Sequence, residues 1–140
     1  MTNHEEIRWR QRFGELKKAY RQLNQALAID SPDEVYRAGI IQFFFFFFEL
    51  AWKTMKDYLE FQEMPVNTPR ETIQKAFQIE LIRDGHTWID ALQKRNLMAH
   101  TYDEERALEA EQLIRNIYVK HLGELINHLA SKENETYIGL

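Results

Sequence analysis

The apolar residues of this chain recur at helical spacing, and no run alternates with the period of a strand. Trp9, Phe13, Leu16, Tyr20, Leu23 and Leu27 step by four and three, which places them on one side of a long amphipathic helix. Only five Gly and three Pro occur in 140 residues, so few positions interrupt such helices. Ser31-Pro32-Asp33-Glu34 reads as an N-cap, a first-turn proline and a capping-box acid, so a second helix starts there. Its stripe runs through Ile41, Phe44, Phe48, Ala51, Met55 and Leu59 and ends before Pro65. Thr68-Pro69-Arg70-Glu71 repeats the signal for a shorter third helix carrying Ile73, Ala76 and Phe77. Gly85 punctuates, and Thr87 can cap a fourth helix through about Met98. A fifth, starting near Asp103, presents Ala107, Ala110, Ile114, Tyr118, Leu122, Leu125 and Leu129, with Asp103, Glu104 and Glu105 where a helix dipole favours acids. Short polar connections imply antiparallel neighbours. The expectation is an all-α, antiparallel up-down bundle of four or five helices, one domain over 1–140 with a tail frayed over 132–140.

Six consecutive phenylalanines, Phe43 to Phe48, lie inside the second helix. At about 100° per residue such a run covers the whole circumference. Phe44 and Phe48 belong to the core stripe, and Phe43, Phe45 and Phe47 cannot all lie on it. An apolar helix of this kind needs a second covering surface, which points to a homodimer through the second helix. Accommodation within a single bundle is the alternative.

With 44% hydrophobic and 29% charged residues the composition is that of a soluble globular chain. There is no cysteine, which excludes disulfides, thiolate metal sites and a cysteine nucleophile, and suits a reducing cytoplasm. The amino terminus is polar, and Ala38 to Trp52, interrupted by Gln42 and Glu49, is shorter than the roughly 20 residues of a membrane span. A cytoplasmic protein with no membrane association is expected. The formal charge of −4 argues weakly against a dedicated nucleic-acid binder. Arg8, Arg10, Arg12, Lys17, Lys18 and Arg21 nevertheless crowd the first helix, as a solvated face or as a strip that tracks phosphates.

The most chemically pointed stretch is Arg95-Asn96-Leu97-Met98-Ala99-His100-Thr101-Tyr102, at the junction of the fourth and fifth helices. An arginine can hold a phosphate, an imidazole can move a proton near neutral pH, and a phenol can donate or be modified. Trp88, Leu92 and Arg95 step by four and three, so Arg95 projects inward and must meet a carboxylate or an anionic ligand. Glu49 and Asp103 are the acids that a purely structural role would use. On an unbroken helix His100 would lie about 140° from Arg95, so the two converge only through a helix break or a second subunit. His121, Glu124 and His128 could share a face but supply too few evident metal ligands. His4 and His86 sit in a terminus and a turn. Glu49 and Lys53 form an i,i+4 pair. No cofactor and no metal site is expected.

Phe48-Glu49-Leu50-Ala51-Trp52-Lys53, followed by Met55-Lys56-Asp57-Tyr58-Leu59, resembles the second helix of the nucleotidyltransferase substrate-binding proteins, members of the HEPN superfamily of helical bundles. Leu81-Ile82, Trp88, Arg95-Asn96 and His100-Thr101-Tyr102-Asp103 match the same family in order, so the resemblance spans about Phe13 to Leu125. It implies a five-helix bundle forming a homodimer, with a separate small nucleotidyltransferase as partner. In related toxin–antitoxin pairs the HEPN protein is a metal-independent endoribonuclease, restrained when the antitoxin nucleotidyltransferase transfers AMP to a tyrosine. Carried over by position, Arg95 and His100 are catalytic, Asn96 is supporting, and Tyr102 is the AMP acceptor or a binding residue. The family usually intersperses polar residues at positions 43, 45 and 47, where this chain has only Phe.

Three readings follow. The first is a ribonuclease toxin controlled by its nucleotidyltransferase. In the second, a non-catalytic subunit holds RNA or a nucleotide in the same cleft for that nucleotidyltransferase. The third is a helical dimerisation module whose Arg95 is a buried salt-bridge partner.

Overall fold

The computed structural model describes residues 4–98 and 103–138, and among these the regular structure is helical throughout. α1 (His4–Leu27) buries Trp9, Phe13, Leu16, Ala19, Leu23 and Ala26 along one side, as the four-and-three spacing requires. α2 (Glu34–Phe61) opens at Asp33, whose carboxylate accepts the Tyr36 amide at 2.7 Å. The cap is therefore Asp33 and not Ser31, which takes the left-handed conformation (φ 51°) that turns the chain out of α1. α3 (Pro69–Gln78) starts as its sequence predicts: Thr68 accepts the Glu71 amide at 3.1 Å, and Glu71 reaches back to the Asn67 amide at 3.0 Å.

α4 (Gly85–Met98) begins two residues before the expected Thr87. Asp84 is the capping side chain, accepting the Thr87 amide at 3.1 Å and its hydroxyl at 2.7 Å. These two donors hold the Asp84 carboxyl below its ordinary range. α5 (Glu104–Leu113), capped by Asp103 through the Glu105 amide at 2.9 Å, passes through a single π-helical turn (Ile114–Tyr118) into α6 (Val119–Ile138). The three segments form one continuous helix, so the molecule is a five-helix bundle. α6 runs past Ser131, where fraying is expected, and Glu133 engages Arg10 at 3.8 Å and Lys17 at 3.7 Å on α1.

α2 is the central helix, packed along α1 and touching α3 and α5. This explains how three of the adjacent phenylalanines are completely buried. Phe47 meets Tyr20 of α1 (ring centroids 5.7 Å), Phe44 stacks on Tyr118 of the π turn (5.5 Å), and Phe48 meets Trp88 of α4 (5.8 Å). Each ring faces a different neighbour, so Phe47 joins the core beyond the narrower stripe read from the sequence. Phe43 and Phe46 remain 42% and 56% exposed on the outer face, in line with Val35. By length and composition alone α2 is long and apolar enough to cross a membrane, contrary to the reading of Ala38 to Trp52. Its buried stripe, from Ile40 to Leu59, is what the central helix of a bundle needs.

Candidate functional site

Arg95 lies near the end of α4, on the side that buries Trp88 and Leu92, so the inward projection expected of it is found. Its Nη1 pairs with Glu49 Oε1 across the gap to α2. The guanidinium carbon stands 5.7 Å from the ring centroids of both Phe45 and Phe48, close enough for cation–π attraction. The Arg95 side chain is only 13% exposed, and that of Glu49 29%. Glu49 Oε2 also accepts the Trp52 indole N–H at 2.9 Å. Glu49 therefore turns inward to Arg95 and Trp52 instead of pairing with the exposed Lys53. A planar guanidinium with five donors between two aromatic rings is the better partner for a half-buried carboxylate than a solvated ammonium.

This arrangement holds one arginine on aromatic walls, neutralised by a carboxylate of its own chain. An anionic ligand arriving at Arg95 shares the guanidinium with Glu49 or displaces it. His100 and Tyr102 lie outside the described residues. Asn96 is on the last turn of α4, with its side chain also outside them. The structure brings Arg95 together with Glu49, Phe45 and Phe48.

The basic residues of α1 do not form an open strip. Arg8 pairs with Glu60 at 3.5 Å, Arg10 with Glu6 at 3.3 Å, Arg12 with Asp57 at 2.8 Å and Lys17 with Glu133 at 3.7 Å. Lys18 and Arg21 are exposed. Burial pushes the Asp57 carboxyl above its ordinary range, with Arg12 pulling the other way. Among the histidines of α6, His121 Nδ1 stands 3.8 Å from Glu124, and His128 Nδ1 lies 2.9 Å from the Leu81 carbonyl. A carbonyl only accepts, so Nδ1 of His128 carries the proton.

Two polar constructions escaped sequence reading. Glu111, 3% exposed, accepts Nε of Arg37 and Nε of Arg115, each at 2.7 Å. Arg115 then ties down the carbonyls of Leu27 and Ile29 at 2.7 and 2.8 Å, closing the end of α1 onto the π turn. Burial would raise the Glu111 carboxyl, but the two guanidinium groups outweigh it and hold it below its ordinary value. Tyr118, at the end of the π turn, donates to Asp90 of α4 at 2.6 Å; burial and that carboxylate raise its phenol well above its ordinary range. The i,i+4 spacing of Glu111 and Arg115 was a legible signal. The Tyr118–Asp90 bond crosses between helices and left none.

The fold and the Arg95 site define an all-α bundle with a largely buried arginine, paired with Glu49, near the end of its fourth helix. The chain belongs to the nucleotidyltransferase substrate-binding-protein-like family, whose model matches residues 11–131. A Haemophilus influenzae protein named "Probable ribonuclease HepT" is 36% identical over 78 residues. That match covers 51% of this chain and 52% of the relative, so the chain spans about half the length of the curated relative it matches. A solved structure from Thermus thermophilus superposes with a TM-score of 0.76 at 26% identity, covering 81% of this chain and 98% of the other. A second, from Haemophilus influenzae and described as revealing the fold of a substrate-binding domain of a nucleotidyltransferase, has a TM-score of 0.72 at 25% identity, covering 84% and 98%.

Proposed function

We propose that this protein is the partner subunit of a separate small nucleotidyltransferase and a metal-independent endoribonuclease, the toxin of a toxin–antitoxin pair acting in the cytoplasm. The observation that carries the reading is Arg95, half-buried between Phe45 and Phe48 at the end of the helix that leads to His100. The name of the Haemophilus influenzae relative supports it. In this reading the ribose 2′-hydroxyl attacks the adjacent phosphorus and the 5′-oxygen leaves. His100 takes the proton from the one or gives it to the other, and Arg95 stabilises the charge that builds on the phosphorane. Asn96 orients the reacting groups. The products are a 2′,3′-cyclic phosphate and a 5′-hydroxyl.

One imidazole per chain is thin for both acid and base work, so two copies of the motif meet across a two-fold interface. The exposed Phe43 and Phe46, in line with Val35 on the outer face of α2, supply an apolar surface for that homodimer. AMP transferred to Tyr102 by the partner adds bulk and negative charge to the cleft and repels RNA.

The Arg95–Glu49 pair favours one competing reading. An arginine neutralised by its own chain suits a non-catalytic subunit that holds RNA or a nucleotide for the nucleotidyltransferase without cutting. One assay separates the two: RNA incubated in EDTA with wild type beside His100→Ala. Cleavage by wild type alone supports the ribonuclease. Binding without cleavage supports the holding subunit, and equal cleavage by both proteins rejects His100 as catalytic. Sedimentation equilibrium of wild type and Phe46→Glu tests the dimer, and an unmodified Tyr102 after co-expression with the nucleotidyltransferase counts against the regulatory step.

A further inference from the structure

α3 and α4 enclose a groove of about 460 Å³ on the side of α4 turned away from Arg95; Gln93, on its wall, lies about 160° around the helix from that arginine. Arg70, Gln74 and Phe77 step along one face of α3, and Gly85, Ile89 and Gln93 along the facing side of α4. The volume falls within the range of roughly 300–1,000 Å³ typical of small-ligand sites. Ile73 is completely buried in its floor, while Phe77 is 47% exposed. The Phe77 ring leans on the backbone at Gly85 so closely that a Cβ there would lie 2.9 Å from its Cγ. Glycine at 85 thus lets an aromatic ring rest against the start of α4 with much of its surface open.

Part of the polar rim is unengaged, while Asp90, also on the wall, is held by Tyr118 and Lys94. Among the described residues, the side chains of Arg70, Gln74 and Gln93 make no hydrogen bond or ion pair within the chain. An amide side chain carries both donors and an acceptor, the complement of a purine edge, and glutamine pairs with adenine in two-point fashion. A guanidinium is the complement of a phosphate. An open aromatic ring is a platform for a base.

We propose that the α3–α4 groove is a nucleotide-binding subsite, in which an adenine base stacks on Phe77, Gln74 and Gln93 meet its edge, and Arg70 holds the phosphate. It is separate from the Arg95 site and stands whether or not that site cuts RNA.

Calorimetric titration of the 140-residue chain with AMP, ribose 5-phosphate and inorganic phosphate tests it. AMP is expected to bind at least about ten-fold more tightly than ribose 5-phosphate, because stacking carries the affinity. Phe77→Leu keeps an apolar floor without a ring face and is expected to weaken AMP binding by roughly five- to a hundred-fold, while Arg95→Ala leaves it unchanged. Phe77→Trp keeps the ring and reports stacking as quenching of the added emission, which covers the case in which Phe77→Leu does not fold. The proposal is overturned if AMP does not bind, if ribose 5-phosphate binds equally well, if Phe77→Leu binds like wild type, if AMP leaves the added emission of the Phe77→Trp variant unchanged, or if Arg95→Ala abolishes binding. That last result would move the nucleotide to the other site.

Discussion

The Arg95–Glu49 pair makes a joint prediction about stability and binding. Both side chains are less than a third exposed, at 13% and 29%, so the pair sits between the surface and buried limits. Exposed ion pairs couple by about 0.2–1 kcal/mol, and hydrogen bonds to charged groups are worth about 1.5–3 kcal/mol. A coupling of about 1–2 kcal/mol is therefore expected from urea unfolding of wild type, Glu49→Gln, Arg95→Ala and the double variant. The single variants are not equivalent. Arg95→Ala leaves Glu49 with the Trp52 indole, whereas Glu49→Gln takes one carboxylate away from a cation held against Phe45 and Phe48. If RNA reaches Arg95, removing the competing carboxylate raises RNA affinity. Because about 1.4 kcal/mol is ten-fold, that coupling corresponds to a gain of roughly five- to thirty-fold in a filter-binding or anisotropy titration. Glu49→Gln is thus expected to be less stable and to bind RNA more tightly. A coupling below about 0.3 kcal/mol would show that the pair is incidental. Weaker RNA binding by Glu49→Gln would show that Glu49 assists the site instead of guarding it.

Glu111→Ala removes a buried carboxylate from two guanidinium groups and is expected to cost about 3–5 kcal/mol in denaturant unfolding. The Glu111 carboxyl is held below its ordinary value near 4.5, so its stabilisation is fully present above that pH and is lost as pH falls through the lowered value. The stability gap between wild type and Glu111→Gln, followed by thermal melts across acid pH, should accordingly narrow below about pH 4.5. Tyr118→Phe deletes the bond to Asp90 and is expected to lower stability by about 1–2 kcal/mol, measured by urea titration. Gly14→Ala meets nothing within 4 Å on α1 and should stabilise the helix by about 0.5–1 kcal/mol. Gly123→Ala puts a Cβ 2.5 Å from the Tyr20 hydroxyl and should lose that gain by displacing the ring, a contrast that paired thermal melts resolve.

The helices were legible because their spacing is a local property of the chain. The four-and-three steps of α1 and the Thr68-Pro69 start of α3 needed no knowledge of their neighbours. Where two local signals compete, sequence cannot decide between them: Ser31 and Asp33 both make good caps, and the left-handed turn at Ser31 settles it. Thr87 and Asp84 posed the same choice. Phe47 shows a different limit. It stands three residues after Phe44 and four before Ala51, so helical spacing permits its burial, but among six identical residues only Tyr20 of α1 standing on that side of α2 decides it. At the site, Glu49 was one of the two acids, with Asp103, that the sequence offered as a partner for Arg95, and the inward projection of Arg95 was readable from helical angles. Phe45 and Phe48 as its aromatic walls were not, since six identical residues carry no mark of which ring faces which helix.

The acidity of the chain looks at first like an argument against an anion-handling role, yet net charge is the wrong quantity to weigh. Four of the six basic residues of α1 pair with acids on α1, α2 or α6, so they hold the bundle together and present no field to a distant polyanion. Arg95 is neutralised in the same way, by an acid one helix away. An anion at that site therefore gains little from long-range attraction and must compete at contact distance with Glu49. Competition of this kind makes affinity depend on how well the ligand fits the guanidinium and its aromatic walls, and less on how much charge the ligand carries. Binding at Arg95 should consequently fall less steeply with salt than binding to an open basic strip, where each released counterion adds to the slope.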